Sequence, residues 1–179
     1  MSKTALTYRD YAALPDDGRR YEIHDGELSV TPAPTTEHQI VSRRLFLVLH
    51  RWLETHPGGE LFYAPLDVIL ADTAIVQPDL VYVGPDRRAR ISERGIEGAP
   101  TLAVEILSPS TRSVDRVTKP GLYARHGVPF FWLVDPAERT VEAFFLEAGS
   151  YPLAVRAAGP GPIDLPPFPG VGLVPDTLW

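Results

Sequence analysis

A carboxylate stands inside an apolar run, TLAVEILSPST, from Thr101 to Thr111. Side chains in a strand point alternately to its two faces. Leu102, Val104 and Ile106 therefore share one face, and Ala103, Glu105 and Leu107 the other. Both faces are apolar apart from Glu105, which predicts a strand covered on both sides. An ionised carboxylate in that position costs several kcal/mol unless a cation meets it. The fold has to bring up either a basic side chain or a bound metal ion.

The rest of the chain reads as elements that can surround such a strand. Thr7 caps a short helix, YRDYAAL, that ends before Pro15. RRYEIHDGELSVTP predicts a hairpin turning at Asp25-Gly26. Ile40, Val41, Leu45, Val48, Leu49, Trp52 and Leu53 keep helical spacing, with Thr36 and Gln39 as a capping box and Pro57-Gly58-Gly59 as the stop. ELFYAPLDVIL and DLVYVG read as strands, followed by an arginine-rich connection, PDRRARISERGIEGAP. After the Glu105 strand, SVDRVTKPGLYARHGV has helical character, with Pro120 in the first turn of a second segment. FFWLVD and TVEAFFLE then pair, and the passage from the Glu105 strand through the helix to FFWLVD is a βαβ unit. The predicted class is α/β (α+β), a mixed sheet flanked by helices.

With 179 residues, one domain is expected. From about residue 159 the tail, GPGPIDLPPFPGVGLVPDTLW, is too rich in proline for helix or central strand. Phe168, Val171, Leu173 and Trp179 give it something to bury, so it reads as extended chain laid over the core or a partner, a disordered tail being the alternative. No stretch is long and apolar enough for a membrane span. The first residues lack the apolar core of a signal peptide, so no membrane association and a cytoplasmic location are expected.

Composition narrows the chemistry. There are no cysteines, which excludes disulfides and thiolate metal sites. A net charge of −6 argues against non-specific nucleic-acid binding as the main task, without excluding a local basic surface. What remains is oxygen-based chemistry. Glu22 precedes the Asp25-Gly26 turn, Asp79 opens a strand after Pro78, Glu105 is mid-strand, and Lys119 follows on the next helix. Carboxylates converging from neighbouring strands make an oxygen-lined site suited to Mg²⁺ or Mn²⁺, and a nearby ammonium can hold a water or stabilise developing charge.

Each residue also has a plainer reading. Glu105 can be a buried ion-pair partner of Lys119 or an arginine. Asp79 can be a turn residue and Glu22 a solvent-facing hairpin charge. Lys119 can pair with Asp115, four residues before it. His38 either serves the cap region or faces a metal or phosphate. His24, His50, His56 and His126 show no ligand spacing. Arg87 and Arg88, with Arg90 and Arg94, are either a solvated loop or phosphate contacts; Thr111 and Arg112 can also touch a substrate phosphate.

An ordered series of motifs resembles the bacterial Uma family of endonucleases, within the PD-(D/E)XK superfamily. It runs through Gln77-Pro78-Asp79, Glu105-Ile106-Leu107-Ser108-Pro109-Ser110-Thr111, Asp115, Lys119, Tyr123, Gly127-Val128 and Trp132-Leu133-Val134-Asp135. Upstream, Tyr21-Glu22, Asp25-Gly26-Glu27-Leu28 and the approach to His38 match in pattern, so that the resemblance spans about residues 5 to 147. It implies a restriction-endonuclease-like fold and a divalent-metal site. Asp79, Glu105 and the Ile106 backbone carbonyl would be ligands, and Glu22 would complete the set. The superfamily pattern places lysine two residues after the glutamate, where this chain has Leu107; the resemblance implies that Lys119 replaces it from the following helix.

The expected function is Mg²⁺-dependent (or Mn²⁺-dependent) hydrolysis of phosphodiester bonds in DNA. The alternatives are an inactive nuclease-fold module that binds nucleic acid or protein, and a hydrolase of smaller phosphoesters. A homodimer would suit cleavage of both strands, although core packing already accounts for the aromatic strand pair.

Overall fold

The computed structural model describes residues 4–179. Residues 1–3, which open the stretch read as lacking a signal-peptide core, lie outside the described residues. The chain begins with α1 (Tyr8–Ala12), the hairpin β1 (Arg20–His24) and β2 (Glu27–Thr31), and the long helix α2 (Thr36–Thr55). Strands β3 (Glu60–Tyr63), β4 (Val68–Ala71), β5 (Ala74–Val76) and β6 (Leu80–Val83) follow. A 3-10 turn (Pro85–Arg90) leads to β7 (Ile91–Ser92), β8 (Gly95–Glu97) and β9 (Leu102–Ile106). A π-helical turn (Val114–Thr118) runs into α3 (Lys119–Arg125), then β10 (Phe130–Asp135), β11 (Thr140–Phe145) and β12 (Leu153–Ala157). The chain closes with β13 (Ile163–Leu165) and β14 (Phe168–Leu173).

Two six-stranded sheets result, ordered β2-β1-β5-β4-β8-β7 and β12-β11-β10-β9-β6-β3, with β13-β14 as a separate ribbon. The second sheet is the mixed sheet expected from the order of elements. β9 pairs in parallel with β10 and antiparallel with β6, so the segment between β9 and β10 is the predicted βαβ crossover. β9 is buried at all five positions. Its Leu102, Val104 and Ile106 pack in one apolar cluster, with Val41, Leu45 and Leu49 of α2 and with Leu165, Phe168 and Leu173 of the C-terminal ribbon. Ala103 and Leu107 join a second cluster, with Leu122 and Tyr123 of α3 and Val68, Val76 and Ile96 of the other sheet. The alternation in the sequence thus becomes two cores, each buried large aliphatic adding about 1.5–3 kcal/mol. Glu105 points from the same strand and is 2% exposed.

Several boundaries differ from the sequence expectation. The cap of α2 is Thr35, one residue earlier than Thr36, and its hydroxyl accepts from the His38 N–H at 3.2 Å. The stretch ELFYAPLDVIL is not one strand. Pro65 cannot donate to a ladder, and the chain leaves one sheet after β3 and enters the other at β4. The arginine-rich connection includes the short hairpin β7-β8. The Asp25-Gly26 turn is as expected: φ is +51° at Asp25 and +81° at Gly26. A side chain at Gly26 would also collide with Ala5, whose Cβ lies 2.5 Å from where a Cβ would sit. The proline-rich tail is extended chain on the core, with Leu165, Phe168, Leu173 and Leu178 all buried. Among the described residues no helix is long and apolar enough to cross a membrane.

Candidate active site

The end of β9 meets the start of β6, because the two strands run antiparallel with Leu80 opposite Val104. That places Asp79, one residue before β6, beside the last residues of β9. The Ile106 N–H donates to Asp79 Oδ2 at 2.8 Å. His38 Nε2, from the first turn of α2, donates to the same oxygen at 3.0 Å. Arg20 lies 3.5 Å from Asp79 Oδ1. Burial pushes the Asp79 carboxyl up, but His38, Arg20 and the Ile106 N–H outweigh it and hold Asp79 below the ordinary range.

Glu105 is met on both oxygens. Tyr123 donates its hydroxyl to Oε1 at 2.5 Å, and the Lys119 ammonium donates to Oε2 at 3.1 Å. Lys119 also lies 3.1 Å from Glu22 Oε1 and 3.5 Å from Asp115 Oδ1. Glu22, at 1% exposure, takes a further bond from the Gln77 N–H at 2.6 Å and one from His24 Nε2 at 3.0 Å. Burial pushes Glu22 up, yet Lys119, His24 and the Gln77 amide bring it down to about 2. Burial pushes Glu105 well up; Lys119 opposes this, while Asp115, Asp79 and Glu22 add to it. Asp115 is raised for the same first reason, burial. Burial alone would discharge Lys119, but Glu105, Glu22, Asp115 and Asp79 together raise its pKa, so it stays an ammonium at any working pH. It is a fixed positive charge and not a proton acceptor.

The order of the elements explains this convergence. Asp115, Lys119 and Tyr123 recur every four residues along one helical face, and that face lies over the end of β9. Gln77, in the link from β5 to β6, fixes the first sheet's side of the site. Its N–H holds Glu22, its carbonyl accepts from Arg20, and its side chain bonds Tyr11 and Asp67. Glu22 comes from the first sheet and Glu105 from the second, with Lys119 between them.

A cavity of ≈ 30 Å³ remains beside this cluster, lined by Asp79, Glu105, Ile106, His38 and Lys119 among others. That is room for a single water or ion. The lining offers carboxylate and carbonyl oxygen and no sulfur, the donor chemistry of a hard divalent cation. Charge also fits. Among the described residues, Glu22, Asp79, Glu105 and Asp115, if ionised, face only Lys119 and Arg20, which leaves an excess of two negative charges before the imidazoles are counted. Among the described residues no three His, Cys, Asp or Glu side chains are arranged to hold a metal ion by themselves. An ion here would rest on Asp79, Glu105 and the Ile106 carbonyl, with water or substrate oxygen filling the remaining positions, as Mg²⁺ commonly does.

The other predicted residues fall in different places. Glu22 does not line this cavity; it faces Lys119 and borders a neighbouring cavity of ≈ 50 Å³. His38 is brought in, its buried Nδ1 without a partner among the described residues. Thr111 lines the cavity, its hydroxyl bonded to Ser108 at 3.0 Å. Arg112 is engaged elsewhere, paired with Asp135 through both terminal nitrogens at 3.3 and 2.7 Å. Arg87 and Arg88 lie beyond the opposite end of β6. Arg87 donates to the Ala99 carbonyl and Arg88 pairs with Glu60. Sequence reasoning gave no role to Arg20, His24, Gln77 or Tyr123. The four-residue spacing from Lys119 was the available signal for Tyr123; the other three are positioned by strand pairing, which leaves no periodic trace.

A family model described as "Uma2: Putative restriction endonuclease" matches residues 8–175. The chain belongs to the Uma2 family. The solved structures include a close likeness in fold, a "putative nuclease belonging to DUF820" from Anabaena variabilis. It is 22% identical with a TM-score of 0.75, covering 97% of each chain. None of the curated proteins matches. Membership of the Uma2 family agrees with the resemblance carried by Gln77-Pro78-Asp79 and the Glu105 strand, and the fold is nuclease-like.

Proposed function

We propose that the chain is a divalent-metal-dependent endonuclease that hydrolyses phosphodiester bonds in DNA. The observation that carries this reading is the meeting of Asp79, Glu105 and Lys119 at one small cavity, at the ends of β6 and β9. Asp79, Glu105 and the Ile106 carbonyl would hold Mg²⁺ or Mn²⁺. When bound, such an ion polarises the phosphoryl oxygen and makes water a better nucleophile near neutral pH. The protein's own groups do the rest. His38, Arg20 and the Ile106 N–H keep Asp79 ionised and fix its two oxygens. Tyr123 fixes Glu105. Lys119 stands as a permanent positive charge toward the charge that builds on phosphate. Glu22, first expected as a third metal ligand, is reassigned to holding Lys119 with Asp115.

Purified protein is expected to nick supercoiled plasmid with Mg²⁺ or Mn²⁺ and to stop when chelator is added. Asp79→Ala and Glu105→Ala should each abolish cleavage; activity surviving both would remove this site. One centre cuts one strand, so double-strand breaks would call for the homodimer as part of the same proposal.

The complete engagement of Glu105 by Lys119 and Tyr123 favours a second reading, an inactive nuclease-fold module that binds nucleic acid or protein. Calorimetry with Mn²⁺ separates them. Binding that Asp79→Ala removes supports the nuclease; no binding, with DNA or protein still retained, supports the module.

A further inference from the structure

A larger cleft adjoins the carboxylate cavity. It measures ≈ 590 Å³ and shares Arg20, His38 and Asp79 with it, so anything lying in the cleft lies against the site. One wall is aromatic. Phe46 of α2 and Tyr63, the last residue of β3, meet at 5.3 Å between ring centroids with their planes at 89°. Tyr63 is 65% exposed, a large amount for a ring already seated against another. Arg43, one helical turn before Phe46, also lines the cleft; it is exposed and has no ion-pair partner among the described residues. Gln39 adds an exposed amide that can both donate and accept.

The volume falls in the range of about 300–1,000 Å³ that suits a small organic group. The chemistry narrows the group. An apolar protein segment would fill the Phe46 and Tyr63 wall but leave the Arg43 guanidinium without counter-charge. A nucleotide uses every part: its base stacks on an exposed ring, its edge bonds an amide, and its phosphates meet Arg20 and Arg43. We propose that this cleft takes an unpaired nucleotide of the substrate strand, beside the phosphate to be cut. The preferred DNA is then single-stranded, bulged or frayed at that position. A base kept inside a duplex cannot reach the ring without being unstacked first. This inference rests on the nuclease reading and names its substrate class.

The test uses one sequence in three forms: single strand, duplex with a one-nucleotide bulge, and fully paired duplex. 2-Aminopurine marks the unpaired position, and Ca²⁺ replaces Mg²⁺ in the binding arm. The unpaired forms should bind at least about tenfold more tightly than the paired one, with quenching of the marked base. In Tyr63→Ala the ratio of unpaired to paired affinity should fall by about 5- to 100-fold, while Tyr63→Phe, which keeps the ring, should retain it. Equal affinity for the three forms, or a ratio unchanged in Tyr63→Ala, overturns the proposal. The two readings fail separately. Stacking without Mg²⁺-dependent cleavage of any DNA removes the nuclease and leaves the cleft assignment in place. Cleavage that ignores both pairing state and Tyr63 removes the cleft assignment alone.

Discussion

Lys119 is the residue on which the site's electrostatics turn. It lies within 3.5 Å of three carboxylates, and all of them are buried. Removing one partner of a buried charge set leaves the others uncompensated, at about 3–5 kcal/mol. Lys119→Met should therefore lower the urea midpoint substantially, and adding Glu105→Gln should recover part of the loss, because one facing charge is then gone. A midpoint unchanged in the single variant would mean that the carboxylates are already neutral without the lysine. At this scale the sequence is informative where chemistry conflicts with its surroundings. Glu105 inside an apolar strand announces a buried charge through its neighbours alone. His24 is less legible. Its role depends on lying two residues from Glu22 on one face of β1, and a lone histidine in a hairpin carries no such information.

Among elements, the π-helical turn after β9 is held by a clamp. Arg112 and Arg116 both reach Asp135 at the end of β10, at 2.7 and 2.9 Å, so the segment leading to Lys119 is tied to the neighbouring parallel strand. Burial pushes the Asp135 carboxyl up, but the bonds from Arg112 and Arg116 and the Glu138 N–H outweigh it and hold the group low. A carboxyl depressed in the folded state adds stability above its unfolded pKa, and that contribution disappears as pH falls through the folded value. Asp135→Asn should thus cost stability at pH 7. The gap from the parent chain should narrow as pH drops below about 4. Urea titrations at several pH values check this; a gap that stays constant would assign Asp135 a role without charge. Periodicity found α2, the hairpin and the crossover, because their burial follows one repeat throughout. It failed at ELFYAPLDVIL, where apolar residues continue across Pro65 but the sheet changes, and at Thr35, where adjacent threonines offer two equivalent caps.

For the whole molecule, the C-terminal ribbon is part of the core. Leu165, Phe168, Leu173 and Leu178 are at most 1% exposed, and the Trp132 indole donates to the Pro166 carbonyl at 2.7 Å. At about 1.5–3 kcal/mol each, these four side chains rival the 5–15 kcal/mol typical of a whole domain. Ending the chain at Ala158 should abolish cooperative unfolding, read by circular dichroism and calorimetry. A truncated chain that melts sharply near the parent temperature would show the ribbon to be dispensable. Composition alone left this region open between ordered and disordered, because prolines exclude helix and central strand without forbidding a two-stranded ribbon or burial.

The bridge that Lys119 makes from Glu22 to Glu105 has a temporal side. Glu22 belongs to one sheet and Glu105 to the other, so the acidic cluster has no geometry until both sheets have docked. A chain caught midway through folding owns all the parts and none of the centre, and whatever chemistry it performs should switch on last.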